Sequence, residues 1–143
     1  MAASSSDNKL SLEIVTPERP LVRETVDEVE LPGAEGYLGV LPGHTPLLTL
    51  LQVGELWYRQ GRETTYLAVA FGFAEVLPDR VTVLAQIAER AEDIDVPRAQ
   101  AALQRATARL AQPTPDLDYE RARTAQQKAE TRLAVAAHAR ARA

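Results

Sequence analysis

Cysteine is absent from the 143 residues. That excludes a disulfide framework and any thiolate metal site, and it fits a cytoplasmic compartment. Histidine is scarce: His44 and His138 stand far apart, and neither belongs to a His-Glu-x-x-His zinc motif. His138 lies in an alanine–arginine tail and reads as a solvated residue. Serines are few outside the N-terminal tail, and none occupies a nucleophile elbow. No Gly-x-x-x-x-Gly-Lys-Ser/Thr loop is present to cradle a triphosphate for hydrolysis. Adjacent acids such as Asp27 and Glu28 fall on opposite faces of a strand, so they do not form a carboxylate pair. No catalytic residue and no metal ligand set can be nominated. No apolar run approaches the ~20 residues needed to span a bilayer, so direct membrane insertion is not expected. Met1 to Asn8 lacks the basic start and apolar stretch of a secretory leader and reads as a flexible tail.

What is present divides into two halves. The first is rich in short alternating segments. Leu10 to Ile14, Val26 to Leu31, Tyr37 to Leu41, Leu47 to Leu51, Gly54 to Gln60, Thr64 to Phe71, Phe73 to Leu77 and Val81 to Ala85 read as strands. Val22 adds further strand material. Pro17, Pro20, Pro32-Gly33, Gly61-Arg62 and Pro78-Asp79 punctuate them. Many short strands with frequent turns predict a β-sandwich of about ten strands over residues 1–90.

The period changes after Ala88. Alanine becomes dominant, and residues 91–143 read as an antiparallel two-helix hairpin, giving an α+β chain. Asp95 is placed to cap the first helix, and Pro97 is tolerated in its first turn. Ala99, Ala102, Leu103, Ala106 and Leu110 form its apolar stripe. Pro113-Thr114-Pro115 ends it. Asp118 caps a second helix with the stripe Ala122, Ala125, Ala129, Leu133 and Ala136. Facing alanines bury little area, so the hairpin should be closely packed but weakly held.

Charge is unevenly shared. Residues 98–143 hold nine basic side chains and four acids, which leaves about +5 there and about −9 on the rest of a chain with net charge −4. The basic helices either form a solvated face or meet something anionic. Nucleic acid is not expected, because only Tyr119 interleaves the arginines.

Two segments carry the most information. One is Gly33-Ala34-Glu35-Gly36-Tyr37-Leu38-Gly39-Val40-Leu41-Pro42-Gly43-His44-Thr45-Pro46-Leu47. It is a turn-rich crossover whose Glu35, Tyr37 and His44 offer a charge, an amphipathic ring and a polar donor on a loop. The other is Ile94-Asp95-Val96-Pro97-Arg98-Ala99. As a capped helix start it has one oddity. Arg98 opposes the helix dipole, at about 0.3–1 kcal/mol, and should find an anionic partner in Asp95 or a ligand.

Together these segments resemble the epsilon subunit of the bacterial-type rotary ATP synthase, over about Leu10 to Ala136. The resemblance implies a non-catalytic central-stalk subunit of a proton-translocating ATP synthase. The expected partners are the gamma subunit, the membrane c-ring and the catalytic beta and alpha subunits. It places the chain on the cytoplasmic face of the bacterial plasma membrane as a peripheral subunit. It implies that Glu35, Tyr37 and His44 contact the c-ring, with Tyr37 standing where some members carry an acid. It also implies that the helices switch between a folded-down form and an extended form that inhibits hydrolysis. No cofactor is required, but ATP is implied as a regulatory ligand. The matching positions are Glu89, Ile94, Asp95, Arg98, Ala99, Arg105, Lys128 and Arg132. Lys128 replaces an arginine of the tightest binders and supplies a point charge without a guanidinium fork. The residues by themselves also leave open a free-standing nucleotide-sensing or adaptor module.

Overall fold

In the computed structural model, residues 8–142 are described, so the tail expectation for Met1–Asn8 lies almost entirely outside the described residues. Eight strands are followed by two helices among them: β1 (Leu10–Val15), β2 (Pro20–Val26), β3 (Glu28–Gly33), β4 (Gly36–Val40), β5 (Leu47–Leu50), β6 (Gly54–Gln60), β7 (Glu63–Leu77), β8 (Arg80–Arg90), α1 (Val96–Ala111) and α2 (Tyr119–Arg142). A 3-10 turn at Ala91–Asp93 links β8 to α1. The strands run β2-β1-β8-β7-β6-β3-β4, with β5 paired to β7.

The long β7 and β8 serve both layers of the sandwich. The first half of β7 pairs with β6, from Gly54↔Val69 to Gln60↔Glu63. Its second half pairs with β5, from Leu47↔Val76 to Leu50↔Phe73. β8 flanks both halves, and its beginning pairs in parallel with β1. Between the halves Phe71 has φ 64° and Gly72 has φ 107°. Two successive left-handed residues reverse which face the alternation presents. Leu67 and Val69 are buried before them, Ala74 and Val76 after them. The odd-to-even change lets one strand feed the core from both layers.

This corrects the expected count of about ten strands. Gly72 looks like a strand break in the sequence, because glycine ordinarily weakens a strand and marks a bend. Here it is a twist within a continuous fifteen-residue strand. β8 likewise runs five residues beyond the expected Ala85.

The core is aliphatic. Leu10, Leu12, Ile14, Val29, Leu31, Leu56, Leu67, Val76 and Val81 are buried completely or nearly so. A polar cluster pins one end of the sandwich. Asp27 accepts a hydrogen bond from Lys9, one from the backbone N–H of Gly61 at 2.6 Å and one from Arg59 at 3.4 Å. The Lys9 bond, and after it the Gly61 N–H, holds the Asp27 carboxyl below its ordinary value.

The helix ends follow the sequence closely. Asp95 Oδ1 accepts from the Arg98 N–H at 3.1 Å, and Asp118 Oδ1 accepts from the Arg121 N–H at 3.1 Å. The helices pack along each other, with Ala99 and Ala106 of α1 and Ala122 and Ala129 of α2 buried. The last third of α2 reaches the sandwich. Val135 and Ala136 join Ala68, Ala91 and Ile94 in a second, smaller apolar cluster.

A Cβ added at Gly72 would lie 2.0 Å from the Leu84 carbonyl oxygen, and its φ is unfavourable for any L side chain. Gly72→Ala should therefore cost about 2–4 kcal/mol of unfolding free energy. Urea denaturation checks it; an unchanged midpoint would mean the close approach is not a constraint.

Candidate functional site

The register of β7 and β8 sets Ala68 opposite Glu89 and Ala70 opposite Ile87. Small residues on β7 leave room for α2 to lie over this patch. α2 therefore presents two stripes. Ala122, Ala129 and Ala136 are buried in apolar packing, as expected from their spacing. Lys128, Arg132, Val135 and His138 recur at intervals of three and four and face the sandwich.

Glu89 and Arg132 form the firmest polar contact between helix and sheet. Arg132 Nη2 donates to Glu89 Oε2 at 3.0 Å. Arg132 Nε lies 2.7 Å from Oε1, close enough for an ion contact but misaligned for a hydrogen bond. The two side chains are 23% and 28% exposed, so the pair is partly desolvated and worth more than a surface bridge. Lys128 Nζ sits 5.5 Å from the centre of the Phe71 ring, a cation–π distance. Glu89, Lys128 and Arg132, with Val53, Ile87 and Thr131, line a cleft of about 110 Å³.

The structure thus gathers three of the eight residues nominated for ATP. Ile94 and Ala99 are buried in apolar packing. Asp95 is engaged as a helix cap, through the backbone N–H of Arg98 and not its guanidinium. Arg98 and Arg105 are exposed on α1, do not line the cleft, and have no ion-pair partner among the described residues. The anionic partner expected for Arg98 is therefore not Asp95. A nucleotide pocket usually offers about 300 Å³ or more. The cleft must widen to take one, and α1 must bring its arginines closer.

The crossover loop builds a different surface. Gly36 and Gly43 adopt φ 126° and 88°, which only glycine accepts readily. Glu35 is exposed and Tyr37 is 60% exposed. Both line a shallow groove with Leu47, Leu48 and Leu50. The tyrosine hydroxyl is anchored by the backbone N–H of Glu55 at 3.2 Å. His44 does not line that groove; its Nδ1 lies 2.7 Å from the Thr45 carbonyl oxygen. Sequence reasoning missed the leucines. Leu48 is 68% exposed and Leu50 is 66% exposed, so the groove has an apolar floor that water would not ordinarily be left to cover. The signal was available: three leucines in four residues cannot all face one core from a strand.

His138 corrects a second expectation. It is not a solvated tail residue. Its ring stacks on Tyr66 with centroids 3.6 Å apart and planes 2° from parallel. Its Nε2 lies 2.7 Å from Glu55 Oε1. Among the described residues no group of His, Cys, Asp and Glu is arranged to hold a metal ion, and no helix is long and apolar enough to cross a membrane.

Two family models match successive parts of this chain. Residues 9–91 match the ATP synthase delta/epsilon chain beta-sandwich domain, and residues 92–137 match the long alpha-helix domain of the same chain. The chain belongs to the ATP synthase delta/epsilon family. Relatives named ATP synthase epsilon chain include that of Koribacter versatilis, 57% identical over 97 residues, covering 68% of each chain. That of Solibacter usitatus is 60% identical over 97 residues, covering 68% of this chain and 72% of its own. The fold also resembles a chain in the cryo-EM structure of Euglena gracilis mitochondrial ATP synthase. That match has a TM-score of 0.68 at 23% identity and covers 94% of this chain and 81% of that one. A chain of the Tetrahymena thermophila mitochondrial ATP synthase central stalk and c-ring aligns with a TM-score of 0.59 at 14% identity, over 93% of this chain and 97% of that one. The family that the two sequence segments resemble is thus also the one that residues 9–137 match.

Arg132→Ala would leave Glu89 without its partner and should weaken helix docking by about 1–3 kcal/mol. Amide exchange at Val135 and Ala136 should quicken accordingly. Arg132→Lys should recover only part of the loss, because one ammonium does not reproduce the fork. Unchanged exchange in Arg132→Ala would remove the ion pair from the docking interface.

Proposed function

We propose that this epsilon chain is a non-catalytic member of the central stalk, coupling rotation of the membrane ring to the catalytic head and restraining ATP hydrolysis through its two helices. The sandwich is the rotor-binding part. Its groove at Glu35, Tyr37, Leu47, Leu48 and Leu50 is the surface offered to the c-ring, and the gamma subunit is its other partner. The helices exchange between the docked form described above and a released form. When released, their basic faces meet the acidic surface of the catalytic beta and alpha subunits and block turnover. The subunit is peripheral, on the cytoplasmic face of a bacterial plasma membrane.

One observation carries the regulatory part. The helical pair is joined to the sandwich by a small apolar cluster and a few discrete polar contacts, not by a continuous core. Elements that move in regulation are drawn from such low-stability attachments. ATP acts as a regulatory ligand that favours the docked form, since a ligand shifts an equilibrium only through differential affinity. That Glu89, Lys128 and Arg132 line one cleft supports this reading. Arg98 and Arg105 have no ion-pair partner among the described residues and lie within the same hairpin, and Asp95, Ile94 and Ala99 shape its start.

Calorimetric titration of the full chain with ATP tests the nucleotide part. Saturable binding is expected, weakened roughly 10- to 100-fold by Arg98→Ala through one lost charge-assisted contact. No binding at millimolar ATP would leave Ile94 to Ala99 as a helix start alone. The ring-facing part is tested by Leu48→Glu. A carboxylate on the groove floor should reduce capture of the chain by ring-containing complexes at least tenfold, with circular dichroism unchanged. Equal capture would move the ring contact elsewhere.

A further inference from the structure

Ala34 and Glu35 form the tip of the β3–β4 hairpin. Gly33 and Gly36 pair at its base, so the two tip residues lie beyond the ladder. Glu35 is exposed and has no ion-pair partner among the described residues. A tip flanked by two glycines has little stiffness of its own. The connector between β5 and β6, residues 51–53, supplies it. Gln52 meets the hairpin twice. Its backbone N–H donates to the Pro32 carbonyl at 2.9 Å, and its side-chain Nε2 donates to the Ala34 carbonyl at 2.6 Å. The amide nitrogen is the group that faces Ala34, because the amide oxygen has no proton to give a carbonyl. Leu51 adds an antiparallel bridge to Gly33. The chain then passes the hairpin closely at Gly54, where a Cβ would lie 2.7 Å from Pro32 Cβ and 2.8 Å from the Tyr37 hydroxyl oxygen.

The connector is itself seated on β7. The Leu51 N–H donates to the Gly72 carbonyl at 2.9 Å, and the Phe71 N–H donates to the Gln52 carbonyl at 3.4 Å. Gln52 therefore stands between the hairpin tip and the left-handed twist of the long strand. Its backbone bonds could be made by any residue except proline. The bond to Ala34 is different. It reaches the tip itself, and it depends on the side chain at position 52.

We infer that Gln52 is a positioning residue that braces the hairpin tip and holds Glu35 in a fixed relation to Tyr37 and the groove leucines. Tyr37 is fastened separately, through its hydroxyl and the Glu55 N–H, so the tip is tied on both flanks. Without the brace, the Glu35 backbone would have to be ordered each time a partner bound, and that cost would be subtracted from affinity. With it, the ordering is completed in folding. The arrangement fits a partner surface that brings a cation or an amide donor to Glu35 and apolar groups to Leu48 and Leu50. That this partner is the c-ring rests on the reading proposed above; the brace itself does not.

Backbone order parameters of the isolated full chain test the brace. Glu35 and Gly36 should show values of about 0.85 in the wild type, as rigid backbone does. Gln52→Ala should lower them to about 0.6 or below. Gln52→Glu has the same length but no proton to donate at neutral pH, and should do the same. Circular dichroism should not change, because Gln52 is exposed. Unchanged order in either variant overturns the inference. Capture by ring-containing complexes tests the consequence, and Gln52→Ala should weaken it about three- to tenfold. A merely structural glutamine would add its loss to that of Glu35→Ala. A positioning residue loses its effect once Glu35 is gone, so the double variant should bind within about twofold of Glu35→Ala alone. Additive losses overturn the positioning role, as does full capture of Gln52→Ala where Leu48→Glu still reduces capture. A tip loosened by Gln52→Ala, with capture unaffected by either Gln52→Ala or Leu48→Glu, would uphold the brace and reject the ring reading.

Discussion

The close approach of the Leu84 carbonyl to the bare Cα of Gly72 is the constraint on which the rest of the structure depends. It allows two left-handed residues in succession within a paired strand. A strand that kept its alternation could supply only one layer of the sandwich. With the reversal at Phe71 and Gly72, β7 buries Leu67 and Val69 on one side of the twist and Ala74 and Val76 on the other. The reversal also fixes the Phe71 ring under Lys128. The positive φ of a bulky aromatic residue is unusual and is maintained by pairing on either side. The device that makes the two layers continuous thus also creates one of the seats for α2.

From that seat the helix is fastened at intervals. Lys128, Arg132, Val135 and His138 cover about three turns of one face, and each touches a different part of the sandwich edge. The apolar part is small, since Ala68, Ala91 and Ala136 contribute little area beside Ile94 and Val135. Polar contacts must then decide the position, and these are directional: a fork on a carboxylate, a cation over a ring, a ring on a ring. Such an interface specifies one docked geometry without holding it strongly. That combination suits an element that must return to the same place after leaving it.

Local signals in the chain predicted the parts that local forces decide. The caps at Asp95 and Asp118 and the stop before Pro113 depend on a few neighbouring residues, and they stand where the spacing puts them. The α-helical face formed by Ala122, Ala129 and Ala136 was equally readable, because a repeat of seven is a helix face. The sandwich-facing stripe was not. Lys128, Arg132 and His138 are polar, and a polar helix face ordinarily means solvent. Only the distant partners Phe71, Glu89, Tyr66 and Glu55 convert it into an interface. Gly72 misled for the same reason: whether a glycine ends a strand or twists it depends on Leu84, twelve residues away. Of the nominated nucleotide residues, those on β8 and α2 meet because both belong to the docking interface. Arg98 and Arg105 stand apart because no acid among the described residues pairs with them.

The uneven charge noted in the sequence acquires a structural meaning from these contacts. The acidic sandwich offers Glu89 and Glu55 to the basic helices, and each takes one partner from α2. Arg98, Arg105 and Arg109 on α1 and Arg121, Arg123 and Arg140 on α2 are exposed. The intramolecular match is therefore incomplete by design of the surface: two carboxylates orient the hairpin, and most of its positive charge stays available. Because exposed charges act over roughly 8–10 Å at physiological ionic strength, a docked hairpin still presents that field to any acidic surface or polyanion nearby. In the exchange proposed above, release would need no new charge to be created, only a competitor that outweighs Glu89 and Glu55 together with the small apolar cluster.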